Sequence, residues 1–117
     1  MKTFLIADSS QIVLEALEFA LEQHGFGVLK AENSQQVKNF YLSNNIDFAI
    51  INSDLNHTDG INLAGELLKL KPCKILIMSD SQNYLLKRKA KELGVTGWIL
   101  KPFIPNHLIK SIVKTFG

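Results

Sequence analysis

At 117 residues, with 46% hydrophobic and 21% charged side chains, the chain has the size and apolar content of one globular domain, 1–117. A formal net charge of +2 singles out no nucleic-acid partner, the apolar runs fall well short of the ~18–20 residues that span a bilayer, and Met1-Lys2-Thr3 leads into no small-residue cleavage site. The single cysteine, Cys73, excludes an internal disulfide and is consistent with a reducing compartment, so the expected setting is the cytoplasm.

Phe4-Leu5-Ile6-Ala7 is a short apolar run halted by Asp8-Ser9-Ser10, the pattern of a buried strand followed by a helix cap. Val13, Ala16, Leu17, Ala20 and Leu21 then recur at helical spacing with Glu15, Glu18 and Glu22 on the other side, which predicts an amphipathic helix over about 11–24 that Gly25 ends. Val28-Leu29 is a second strand. Glu32-Asn33-Ser34 caps a second helix whose buried side is Val37, Phe40 and Tyr41. From Ile46 to Ile51 the chain is apolar without alternation, as in a strand covered on both faces, and it stops on Asn52-Ser53-Asp54.

After a loop, Ile61, Ala64, Leu67 and Leu68 make a third helical stripe that Pro72 prevents from continuing. Lys74-Ile75-Leu76-Ile77-Met78 is the next strand, closed by Ser79. A weaker fourth helix over about 81–93 turns Leu86, Ala90 and Leu93 inward, and the basic cluster Lys87, Arg88, Lys89 and Lys91 largely outward. Gly94 and Gly97 precede a brief strand, Trp98-Ile99-Leu100, that ends at Lys101-Pro102. Pro105 opens a last helix with Leu108, Ile109, Ile112, Val113 and Phe116 on its stripe.

Strands alternating with helices predict an α/β fold, a three-layer sandwich around a five-stranded parallel sheet. In such a sheet, ligands bind past the carboxyl ends of the strands, which puts Asn52, Ser53 and Asp54 at the likely site, on an edge that would gather Asp8, Ser9, Asn52, Ser79 and Lys101. His24, His57 and His107 lack metal-ligand spacing, and Cys73 beside Pro72 reads as structural. The Asp8-Ser9-Ser10-Gln11 loop has no glycines to cradle a nucleotide or flavin phosphate, and no helix-turn-helix unit is present.

In order and spacing, Phe4-Leu5-Ile6-Ala7-Asp8, the Asp59-Gly60 step, Ser79, Gly94-x-x-Gly97-Trp98 and Lys101-Pro102-Phe103 resemble the receiver domain of two-component response regulators across essentially the whole chain. The resemblance implies the CheY-like strand order 2-1-3-4-5. It also implies phosphotransfer onto an aspartate at the end of strand three beside Mg²⁺, a hydroxyl and an ammonium at Ser79 and Lys101, an aromatic switch at Trp98, and a cis bond before Pro102. Two positions depart from the pattern. Counting back from Asp59-Gly60, the phosphoacceptor position holds Asn52, and Ser9 stands where a second acid is expected after Asp8.

A neutral carboxamide is a poor nucleophile, and Mg²⁺ wants at least one or two carboxylates. The expectation is therefore a degenerate receiver that is not an enzyme, with Asp8, Asn52 and Asp54 as a vestigial metal site binding Mg²⁺ weakly or not at all. The resemblance implies that Asp54, two residues past Asn52, presents its backbone carbonyl to the metal with its carboxylate pointing elsewhere. The expected partner is a signalling protein, such as a histidine kinase or an output protein. Docking is expected through helix four, strand five and helix five, where Lys87, Arg88, Lys89, Lys91 and Trp98 would favour an acidic partner or a second copy of the chain. The alternative is a phosphorylatable receiver with Mg²⁺ at an atypical site.

Overall fold

The computed structural model describes residues 1–116. Five strands, β1 (Thr3–Ala7), β2 (Gly27–Ala31), β3 (Phe48–Asn52), β4 (Lys74–Ser79) and β5 (Gly97–Leu100), pair in parallel in the order 2-1-3-4-5. Five helices return the chain between and after them: α1 (Gln11–Gln23), α2 (Ser34–Ser43), α3 (Gly60–Leu70), α4 (Tyr84–Glu92) and α5 (Pro105–Phe116).

Alternation along the strands divides the core into two layers. Leu5, Ala7, Ala49, Ile51, Ile75 and Ile77 pack under α2, α3 and α4. Phe4, Ile6, Phe48, Ile50, Leu76 and Met78 pack under α1 and α5, with the Phe4 and Phe48 rings stacked 4.8 Å apart. Burying each of these large side chains is worth roughly 1.5–3 kcal/mol, so both faces are strongly held. The α1 stripe also includes Leu14, which the sequence reading omitted and which is buried, whereas Val13 and Ala16 are only half-buried.

Side-chain oxygens start four of the helices. Ser10 accepts from the Val13 amide, Asn33 from Gln36, Asp59 from Ile61 and Asn62, and Asn83 from Leu85 and Leu86. The last of these corrects the expected start of the fourth helix at about Ser81. The Ser81 hydroxyl accepts from the Asn83 amide, folding 81–83 into a turn, so helical geometry begins only at Tyr84. Leu86 is not inward either, being 38% exposed. The sheet beneath α4 ends at the short strand β5, and only Ala90 of this helix is buried. β3 likewise starts at Phe48, leaving Ile46 outside the strand.

Where the sequence suggests only a loop, β3 is followed by a small antiparallel hairpin, Asp54–Leu55 with Thr58–Asp59. Its two-residue turn holds Asn56 and His57 at φ +52° and +68°, the left-handed conformation that such tight connections require at both central positions.

Candidate functional site

Asp8 ends β1 with its side chain almost fully buried, at 2% exposure. One carboxylate oxygen accepts from the Ser10 amide at 2.9 Å, and the other accepts from Lys101 Nζ at 2.7 Å. Lys101 reaches it from the end of β5, where its own amide donates to the Ser79 carbonyl at 2.8 Å and the bond to Pro102 is cis. A carboxylate this deep is sustained by the ammonium and the amide together, since an unpaired buried charge carries a desolvation cost of several kcal/mol.

Asn52 ends β3, half-buried. Its Nδ2 donates to the backbone carbonyl of Asp54 at 2.7 Å. The Asp54 carbonyl is thus taken up by Asn52, while its exposed carboxylate accepts from the His57 amide at 3.2 Å inside the hairpin. Ser79, 3% exposed at the end of β4, accepts from the Ser53 hydroxyl at 3.0 Å and from the Ser81 amide at 3.1 Å. Ser9 is exposed. The strand ends therefore join Asp8 to Lys101 and Ser53 to Ser79, with Asn52 folded onto its own loop. Ser9 and the Asp54 carboxylate stand outside these contacts.

Gly60 sets the floor. A Cβ built on it would lie 2.0 Å from the Asn52 carbonyl oxygen, so the start of α3 presses against the end of β3 as only a glycine allows. Ser53 lies at the strand end where the sequence puts the likely site, and its hydroxyl contact with Ser79 is added by the fold; Gly60 is the residue whose part in the site the strand ends do not announce.

The ends of β1, β3, β4 and β5 thus bring polar groups to one edge of an open α/β sheet, and the five-strand order is that of CheY-like folds. The profile of the response regulator receiver domain matches residues 4–113. The chain belongs to that family. This receiver is 30% identical over 122 residues to the phosphate regulon transcriptional regulatory protein PhoB of Pseudomonas aeruginosa, covering 99% of this chain and 53% of that protein. It superposes on the chemotaxis protein CheY4 of Vibrio cholerae with a TM-score of 0.92 at 22% identity, covering 99% of both chains. It also superposes on a response regulator of Thermotoga maritima with a TM-score of 0.87 at 27% identity, covering 97% and 96%. The receiver spans about half the length of the curated relatives it matches. No helix among its described residues is long and apolar enough to cross a membrane.

Around α4, the basic cluster divides. Arg88 pairs with Glu92 at 3.0 Å and Lys89 lies 3.9 Å from Asp59, whereas Lys87 and Lys91 have no acid within 4 Å among the described residues. Lys87 and Lys91 line a cavity of about 380 Å³ with Ala90, Val95 and Trp98. Trp98 is half-buried, and its indole N–H donates to the Ser81 carbonyl at 3.1 Å. On the other side of the molecule's chemistry, burial pushes the Cys73 thiol up to about 11, so it stays protonated and unreactive near neutral pH.

Proposed function

We propose that this receiver is a pseudo-receiver: a protein-binding module of a two-component signalling pathway that neither accepts a phosphoryl group nor catalyses its transfer. The observation that carries the reading is Asn52. Its neutral amide occupies the position of the expected phosphoacceptor and donates its N–H to the Asp54 carbonyl. A carboxylate attacks phosphorus because it is anionic, and a carboxamide has no such charge to offer.

The donor set points the same way for the metal. Mg²⁺ keeps oxygen ligands in near-octahedral geometry and depends on carboxylates to replace lost water. Here Asp8 has both carboxylate oxygens engaged, and the Asp54 carbonyl already accepts from an amide. Among the described residues, no three His, Cys, Asp or Glu side chains come together as a metal cluster. These residues do not fit a Mg²⁺ ion. Lys101 instead supplies the positive charge beside Asp8.

Receiver domains work by engaging kinases and output domains. For this chain the proposed partners are a histidine kinase or an output protein, met through α4, β5 and α5 and driven by contact rather than by covalent modification. The test is incubation with Mg²⁺ and acetyl phosphate, followed by intact-mass measurement and by NMR of Asn52, Ser79 and Lys101. We expect an unchanged mass and unshifted resonances. A stable phosphate adduct would overturn the proposal in favour of a receiver that uses another acid.

A further inference from the structure

The outer faces of α1 and α4 carry opposite charge, and both expose large apolar side chains. On α1, Ile12, Glu15, Phe19 and Glu22 recur at three and four residues along one exposed line, with Ile12 80% and Phe19 63% exposed. The helix has three acids and no base. Glu18 is held by Lys30 at 2.9 Å, but Glu15 and Glu22 have no cation within 4 Å among the described residues. On α4, Tyr84, Lys87, Arg88 and Lys91 form the corresponding line beside a surface groove of about 790 Å³, with Tyr84 and Leu85 each 70% exposed. Lys87 and Lys91 are the unpaired cations of this helix.

The two faces cannot meet within one molecule. α1 packs on the core layer it shares with α5, and α4 packs on the layer across the sheet. Nor does either face suit its own twin, since α1 on α1 would oppose carboxylates and α4 on α4 would oppose ammonium groups. Two unpaired acids among exposed apolar groups on one side, and two unpaired bases among exposed apolar groups on the other, are complementary in charge and in apolar character.

We propose that this chain associates with further copies of itself head to tail, the α4 face of one copy lying on the α1 face of the next. Glu15 and Glu22 then face Lys87 and Lys91, while Ile12 and Phe19 pack with Tyr84 and Leu85. The shorter α4 line fits within the longer α1 line, since Ile12 to Glu22 spans ~15 Å of helix and Tyr84 to Lys91 ~10 Å. Because the joined surfaces differ, the contact is heterologous and propagates into open chains rather than closing into a symmetric pair. One helix against another buries less than the ~1,200 Å² typical of stable complexes, so association is weak and sensitive to salt. The inference does not rest on the reading of Asn52.

A charge swap tests it. Sedimentation velocity of the wild-type chain at ~20 mM salt should give a mean mass that climbs with concentration without a plateau, and should return to monomer at ~500 mM salt. Lys87→Glu/Lys91→Glu and Glu15→Lys/Glu22→Lys should each stay monomeric, with circular dichroism spectra like the wild type. An equimolar mixture of the two should restore chains, because both contacts then regain opposite charges. Monomers at every concentration, a plateau at dimer, or a mixture that fails to associate would overturn the proposal.

Discussion

Lys101 stands where the family resemblance places a phosphoryl-contacting ammonium, and in this receiver it closes on Asp8 at 2.7 Å. Removing it strands a carboxylate that is 2% exposed. Lys101→Met is expected to lower unfolding stability by about 3 kcal/mol, and Asp8→Asn/Lys101→Met to recover most of that loss, because a neutral pair leaves no buried charge. Urea denaturation of the wild type and both variants checks this. Mg²⁺ binding should return only when acids are restored. Ser9→Asp/Asn52→Asp should tighten the ion by more than about tenfold over the wild type, read from Trp98 fluorescence, with Asn52→Asp alone falling between. At this scale the sequence was informative wherever a strand stopped on a polar residue, since Asp8, Asn52, Ser79 and Lys101 all lie at strand ends. Ser53 could be placed at the strand end but its contact could not, because strand alternation assigns no direction to a side chain once the strand has ended, and it is the bend after Asn52 that carries its hydroxyl to Ser79.

Among the elements, the junction of β3, the hairpin and α3 is the most tightly constrained. Gly60 has backbone, not flexible side chain, against its missing Cβ, so no rotamer change can relieve a substitution. Gly60→Ala is expected to cost at least about 2 kcal/mol in denaturant unfolding and to shift the amide resonances of Asn52 and Ser53. The Asp59-Gly60 step was a recognisable landmark in the sequence, but its physical reason was not, because the close approach involves residues eight apart that only the folded hairpin brings together. The strongly periodic helices α1, α3 and α5 could be read from their stripes. α4 could not be bounded in this way. With one buried residue, its spacing carries little information, and the Ser81 turn that delays its start is made by a local hydroxyl contact rather than by hydrophobic pattern.

For the molecule as a whole, layer order and parallel pairing followed from the alternation of apolar runs and helical stripes, which leaves few ways to cover both faces of a sheet. Its alkaline stability should reflect one buried and one half-buried acid. The Cys73 thiol is raised from 9.0 to about 11 by burial, and burial also raises the Tyr41 hydroxyl, which donates to the Lys71 carbonyl at 2.6 Å. With folded values above unfolded ones, the unfolded chain ionises first. The contribution of Cys73 is complete below pH 9 and is lost as the pH climbs towards 11. Urea midpoints should therefore fall across that interval, and Cys73→Ala should flatten part of the slope; an equal slope in the variant would contradict the assignment.

The open sheet leaves β2 at one edge, a row of backbone groups that a foreign strand could extend. Lys30 sits exposed within that strand and is drawn towards Glu18 of the neighbouring helix. A cation there discourages β-type aggregation, because an incoming strand would have to bury or displace it. One side chain that takes no part in the pocket thus works against growth of the sheet at this edge.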